Sequence, residues 1–272
     1  MGIEMVRRVT SALVGGMLSP FSGHNAMVSL VPISILVSIG MLWAFRRTSN
    51  QAAIRKVKRE LRAYLYEMQL FTDEPLLILK AQRGLLAANV RYLGMMLVPT
   101  AVMAIPMVLF LSQLECFYGY TPLEPGQEAV VTVQMKDGPR NGVPTLRAPD
   151  GIAVESPAIG IDGERQISWR IRAVRPVTGD LQFVFPAQTL EKSVQAGQGP
   201  QYLSERRVSS ALDLIWHPAE SRLPDGPVDW IELRYPKAEV HALGLDLHWL
   251  IWILIISMAS ALILKRQFRV SF

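Results

Sequence analysis

Three apolar blocks without a formally charged residue decide what this chain can fold into. They are 26–45, 92–114 and 247–264, of 20, 23 and 18 residues. An α-helix needs about 20 predominantly apolar residues to cross the ~30 Å hydrocarbon layer of a bilayer. The first two blocks meet that length, and the third meets it narrowly. Its lower edge continues through His248 and Trp249, amphipathic rings that suit the headgroup region. The blocks predict three transmembrane helices, hence a multi-pass α-helical membrane protein. The competing reading of any such block is a buried core helix, and it is strongest for the third. A cleaved signal peptide is not expected at the first block. Its run exceeds the usual apolar core of about 7–15 residues, and Arg46 and Arg47 follow it instead of a small-x-small cleavage site.

Charge sets the expected orientation. Segment 46–91 holds ten Lys/Arg and four Asp/Glu, a net +6, and the tail 265–272 adds Lys265, Arg266 and Arg269. Segment 118–246 holds 13 basic and 17 acidic residues, a net −4. Lys and Arg close to helix ends favour the cytoplasmic side. The expectation is a plasma (inner) membrane protein with 46–91 and 265–272 in the cytoplasm. The N-terminal 1–25 and the domain 115–246 then lie outside, although Arg7 and Arg8 count against this. The basic excess sits where a cytoplasmic membrane face would put it, so no specific nucleic-acid partner is expected; the bilayer itself is.

The N-terminal 1–25 reads as an external tail or as an interfacial helix. In the second case Met5, Val6, Val9, Leu13, Met17 and Leu18 form one face before Pro20. Segment 46–91 carries more information. Ile54, Val57, Leu61, Tyr64, Met68 and Phe71 are spaced 3, 4, 3, 4, 3, an a/d seam of nearly three heptads. Arg55, Lys56, Lys58, Arg59 and Arg62 form a basic face opposite the seam. The pattern stops at Thr72-Asp73-Glu74-Pro75, where Thr or Asp caps a new helix and Pro is tolerated in its first turn. A second pattern follows through Leu76, Leu79, Leu86 and Val90, with Leu77, Ala81 and Leu85 beside them. Together they predict a cytoplasmic helical hairpin, whose second arm either ends or runs on into the span 92–114.

That second span contains Pro99 and Pro106, which remove backbone hydrogen bonds and tend to kink a helix. Met95, Met96, Met103 and Met107 make it methionine-rich, suited either to plain helix packing or to a surface that accepts varied partners. The run from Asn89 through Met107, preceded by Leu65-Tyr66-Glu67-Met68-Gln69-Leu70-Phe71 and Gln82-Arg83-Gly84-Leu85-Leu86, resembles membrane insertases of the YidC/Oxa/Alb type. Those proteins place a cytoplasmic hairpin directly before a proline-bearing helix. The resemblance covers roughly 26–114. It departs from bacterial members at 26–45, which carries no arginine and only Ser29, Ser34 and Ser38 as polar residues. Compact three-helix relatives match better, though they usually lack a large domain between the last two helices. The resemblance implies a groove between helices, with Ser34, Ser38, Met95, Met96, Pro99, Met103, Pro106, Met107 and Gln113 as candidate contacts. It also implies nascent or mature membrane proteins as partners and the ribosome as a contact of the hairpin.

Segment 115–246 reads as β. Ile167, Trp169, Ile171 and Ala173 alternate with polar residues; Leu181, Phe183 and Phe185 do the same, as do Ala129, Val131, Val133 and Met135. Segment 230–235 is a fourth candidate strand. Turn signals at Asp137-Gly138-Pro139, Pro149-Asp150-Gly151, Asp162-Gly163 and Pro224-Asp225-Gly226 separate them. The spacing predicts an inserted extracytoplasmic all-β immunoglobulin-like sandwich, with no disulfide because the chain has one cysteine. Segment 187–207, polar and rich in Gly and Gln, predicts a long mobile loop. Arg170 and Arg172 offer a site to an anionic partner or simply solvate an outer strand face.

Catalytic patterns are missing. The sequence has no H-E-x-x-H, no Walker A loop and no G-x-S-x-G elbow, and His24, His217, His241 and His248 are scattered. Cys116 reads as inert packing, yet also as a residue open to labelling from outside. No enzyme, cofactor or metal is expected. Two functions remain: an Oxa-type insertase or membrane chaperone, and a structural or scaffolding subunit whose β domain binds an external protein partner. A sensor fits less well, because the C-terminal tail has no output domain.

Overall fold

The first apolar block forms helix α1 (Ala26–Thr48), 23 residues long in this computed structural model. The described residues are 5, 9, 16, 18, 26–71, 73–136, 143–161, 163–198 and 202–268. Helix α2 (Gln51–Leu70) starts where Asn50 Oδ1 accepts the Ala53 amide at 3.1 Å, an N-cap that satisfies one of the orphan donors of the first turn. Helix α3 spans Pro75–Tyr118, 44 residues in one element. The second hairpin arm and the second apolar block are therefore one continuous helix, through both Pro99 and Pro106. Thr72 lies outside the described residues. The residue before α3 is Glu74, whose carbonyl accepts the Leu77 and Ile78 amides at 3.1 Å, and Pro75 occupies the first helical position, where its missing N–H costs nothing. Of the proposed N-terminal apolar face, Met5, Val9 and Leu18 are described and helical; Val6, Leu13 and Met17 lie outside the described residues.

Among the described residues, α1 and α3 are long and apolar enough to cross a membrane. Helix α4 (Trp249–Leu264) is shorter than predicted, at 16 residues. At 1.5 Å per residue it spans about 24 Å, short of the ~30 Å hydrocarbon layer. Its expected first residue, Leu247, is instead paired with Val240 in a two-stranded ribbon.

The chain divides into two compact units. The unit made of Leu30–Met107 and Trp252–Phe272 contains the hairpin. There α2 and the first part of α3 run antiparallel, as Glu60 meets Arg91 (3.3 Å) and Lys58 lies over the Tyr92 ring (5.7 Å). The α2 seam is as expected at its base, where Ile54 and Val57 are buried, and opens toward Phe71 at the tip. The α3 seam differs from the sequence pattern. Leu76, Leu79, Leu86 and Val90 are exposed, and the inward residues are Ala81, Gly84 and Ala88. The reason is close approach: a Cβ on Gly84 would lie 2.5 Å from Tyr64 Cε1. Small residues admit the tyrosine ring, and the leucines are turned outward. Exchanging a helical glycine for a residue with a side chain ordinarily stabilises by up to about 1 kcal/mol. Here Gly84→Val is expected to cost about 1–3 kcal/mol by overpacking. Thermal unfolding followed by far-UV circular dichroism should show the loss, and Tyr64→Ala in the same chain should return part of it.

The unit made of Met1–Ser29 and Val108–Ile251 contains the β domain. One sheet holds six strands, with β3 (Ile152–Val154), β5 (Gln166–Ala173), β1 (Glu128–Met135), β9 (Val228–Leu233) and β8 (Arg206–Val208) in that order, and β4 (Ile159–Ile161) on β5. The other holds β2 (Thr145–Arg147), β6 (Val177–Val184) and β7 (Thr189–Ala196). The ribbon β10 (Val240–Ala242) and β11 (Leu245–Leu247) precedes α4. All ladders between these strands are antiparallel, and both sheets feed one core in which Trp169 and Phe183 meet edge-on at 5.5 Å. The four anticipated strands are present; the three with an expected face bury it, and the fourth, β9, is offset to Val228–Leu233 with Ile231, Glu232 and Leu233 all buried. The expected loop at 187–207 is corrected: it contains strands β7 and β8. Alternation did hold in β7, through Leu190, Lys192, Val194 and Ala196, but one of the four inward residues is a lysine. The turn Asp137-Gly138-Pro139 and Asp162 lie outside the described residues.

Candidate functional site

The residues offered as groove contacts fall into different settings. Ser34 and Ser38 are both buried on α1. Ser34 Oγ donates to Leu30 O at 2.7 Å, and Ser38 Oγ lies 3.0 Å from Ser34 O and 2.8 Å from Ser257 O on α4. A serine has one hydroxyl proton, so Ser38 shares it between its own helix and a neighbour. Bonds of this kind join small residues at close helix packing. On α3, Pro99 and Met103 are buried, Met95, Met96 and Met107 are half-buried, and Pro106 is exposed. Gln113 belongs to the other unit, where its side-chain carbonyl accepts the Tyr202 hydroxyl.

The basic face of α2 is gathered at one place. Arg55, Lys58, Arg59 and Arg62 line a cleft of about 340 Å³, and Lys56 stands outside it. Their spacing of three, four and seven puts all four on one side of the helix. Lys58 is held below its ordinary value, first by burial and then by the like charges of Arg62 and Lys265. The acid between them in sequence, Glu60, pairs with Arg91.

In the β-containing unit the unforeseen feature is an ion network. Lys192 is 0% exposed, and its ammonium donates to Ser204 O and Glu220 Oε1, both at 2.6 Å. Glu220 also accepts from Ser193 Oγ at 2.6 Å, and Arg207 stands 3.9 Å away. Burial pulls Lys192 below its ordinary value, with Glu220 opposing. Burial alone would raise Glu220, but Lys192 and the serine hydroxyls outweigh it and hold the carboxyl below the usual range. A lysine in a Gly/Gln-rich segment carried no sign of this in the sequence, because its partner lies 28 residues away. Beside it the last turn of α3 is tied to the domain. Leu203 N donates to Cys116 O (2.7 Å), and Trp249 Nε1 donates to Glu115 Oε2 (2.9 Å). Cys116 is buried, with its thiol toward Ser112 O, which corrects the expectation that it labels from outside. A cleft of about 350 Å³ nearby is lined by Phe117, Tyr118, Tyr120, Pro122, Glu124 and Glu239 among others.

No protein-family model, curated protein or solved structure matches the chain.

Arg170 and Arg172 are engaged on the strand surface: Arg172 lies 2.6 Å from both Glu128 and Glu155, and Arg170 lies 3.7 Å from Glu128. Exposed pairs of this kind contribute little to stability. Among the described residues no group of three His, Cys, Asp or Glu side chains could hold a metal ion.

Three groups make the β-containing unit acid-sensitive. Glu220 is held low as above. Glu232, paired with Arg206 and with Arg234 (3.2 Å), is also held low despite its burial. Burial and the Arg206 charge lower His217. A depressed folded-state pKa gives stability that is complete above the unfolded value and is lost as pH falls through the folded one. These three groups therefore add no pH dependence above pH 6.5. Stability should decline slightly below that as His217 charges, then steeply below pH 4.5 as the two carboxyls are forced to protonate. Urea unfolding at stepped pH, read by tryptophan fluorescence, tests the order of these two phases.

Proposed function

We propose that this chain is a multi-pass membrane protein of Oxa type that assists the insertion or folding of other membrane proteins. Three spans cross the bilayer. The hairpin is cytoplasmic, and the β domain, an immunoglobulin-like sandwich without a disulfide, is outside. The short α4 is followed by Lys265 at one interface, and a locally thinned bilayer accommodates a span a few ångströms short.

The observation that carries the reading is a stripe along α3. Leu76, Leu79, Leu86 and Val90 are exposed on the hairpin arm, with Leu76 82% exposed, and Leu93, Leu97 and Ile105 continue exposed along the uncharged run. Apolar side chains left in water on a helix that then enters lipid offer a path for an apolar segment of another chain. Four cations on the other arm of the hairpin attract an anionic partner. A second reading, a packed scaffolding subunit, is favoured by the Ser38–Ser257 contact, which uses groove polarity inside the protein.

Site-specific photocrosslinking during synthesis of a small membrane protein separates the two. Probes belong at Met96, Leu97 and Met107, which are exposed or half-buried. Crosslinks to nascent transmembrane segments, strongest while the ribosome is attached, support the insertase. Crosslinks to one fixed, mature partner alone favour the scaffold.

A further inference from the structure

We propose that the cleft lined by Arg55, Lys58, Arg59 and Arg62 binds the phosphate of an anionic phospholipid headgroup and so pins the base of the hairpin to the membrane surface. The inference rests on the membrane reading above, but not on the insertase activity.

The first argument is uncompensated charge. The four residues share one side of α2 around a cleft of about 340 Å³, and none of them makes an ion pair among the described residues. The charge of Lys265 also acts on Lys58. Such a concentration of like charge is unfavourable when empty and attracts an anion. Three of the four cleft residues are arginines, whose planar forks donate paired hydrogen bonds to phosphate oxygens.

The second argument is level. Lys58 lies 5.7 Å over the ring of Tyr92, the residue at which the uncharged run of α3 begins. Lys265, whose charge reaches Lys58, immediately follows Leu264, the last residue of α4. One apolar run thus begins in contact with Lys58 and another ends within reach of its charge, which puts the cleft at the height where headgroups begin. Tyrosine and lysine are the side chains that mark that zone. Basic clusters directly against the cytoplasmic ends of spans recognise anionic lipid headgroups. Nucleic acid fits less well: among the described residues no aromatic ring lines the cleft, so it has no platform for base stacking.

The test uses the purified full chain in a nonionic detergent, with phosphatidylglycerol, phosphatidylcholine or inorganic phosphate added and bound species counted by native mass spectrometry. The variant is Arg59→Ala with Arg62→Ala, both exposed positions. The control is Lys80→Ala with Arg83→Ala, exposed cations on α3 outside the cleft. The expected result is selective retention of phosphatidylglycerol by the wild type and the control, weakened about tenfold or more in the variant. Equal retention by variant and wild type would overturn the proposal, as would equal binding of phosphatidylcholine. Displacement of the lipid by inorganic phosphate at matched concentration would assign the cleft to a free anion and overturn the headgroup. Alkaline extraction of native membranes keeps the two readings separate. A chain that stays in the membrane but ignores phosphatidylglycerol refutes the cleft alone, and a chain that is extracted refutes the membrane reading.

Discussion

Glu220→Ala should lower the unfolding temperature of the β domain by about 10–20 °C. The physical reason is the position of Lys192. Its side chain is fully enclosed on the inner face of β7, and its charge is balanced by the Glu220 carboxylate at 2.6 Å. Removing the acid leaves a buried ammonium with only carbonyl partners, Ser204 O and the more distant Ser193 O. Breaking one side of a buried pair costs roughly 3–5 kcal/mol, because the remaining charge has lost its compensation. For a domain of this size 1 kcal/mol corresponds to roughly 3–4 °C in the midpoint. Replacing both partners by apolar side chains of similar volume, Lys192→Met with Glu220→Leu, should recover most of the loss, since the desolvation of both charges goes with them. The recovery stays incomplete because Ser193 Oγ loses its acceptor. Differential scanning calorimetry of the full chain in detergent measures all three. An unchanged midpoint for Glu220→Ala would mean that the lysine has another partner or is neutral in the folded domain.

The second large effect is expected at Trp169. This residue sits on β5 in the six-stranded sheet, 3% exposed, and meets Phe183 of the three-stranded sheet edge-on at 5.5 Å. Val131 lies opposite it on β1, while Leu146 and Leu190 flank Phe183 on its own sheet. Trp169→Ala removes the side chain that bridges the two sheets and should cost about 3–5 kcal/mol through lost burial and the cavity left behind. Trp169→Phe keeps an aromatic contact across the sheets and should cost distinctly less. The readout is the urea midpoint by circular dichroism, since the substitution removes a fluorophore. Equal midpoints for Trp169→Ala and the wild type would show that this contact does not hold the sheets together. Trp169 and Glu220 share no hydrogen bond, ion pair or ring contact, so their effects should be close to additive, and a double variant checks this.

Where apolar residues alone determine an element, the sequence was a sufficient guide. The uncharged blocks 26–45 and 92–114 lie in long helices, and the strands around Val131, Ile171 and Phe183 bury the faces that their alternation selects. The base of the α2 seam, Ile54 and Val57, was legible for the same reason, because a period of 3.5 is a local property. Of the candidate site, the basic cluster on α2 could be read directly, since four cations three and four residues apart must share a side of a helix.

Tertiary structure decided what depends on a partner distant in sequence. Hydrophobic pattern chose the leucines of α3 as its seam, but the ring of Tyr64 needs small neighbours, so Ala81, Gly84 and Ala88 face inward and the leucines face out. The serines of α1 were legible as polar residues in an apolar helix. Only packing shows that Ser38 reaches a carbonyl of α4. Strand β7 was hidden because a lysine on an inner face breaks the apolar alternation, and only the carboxylate of Glu220 makes that position tolerable. Local periodicity is written in neighbouring residues; close approach and charge compensation are written in pairs that folding alone brings together.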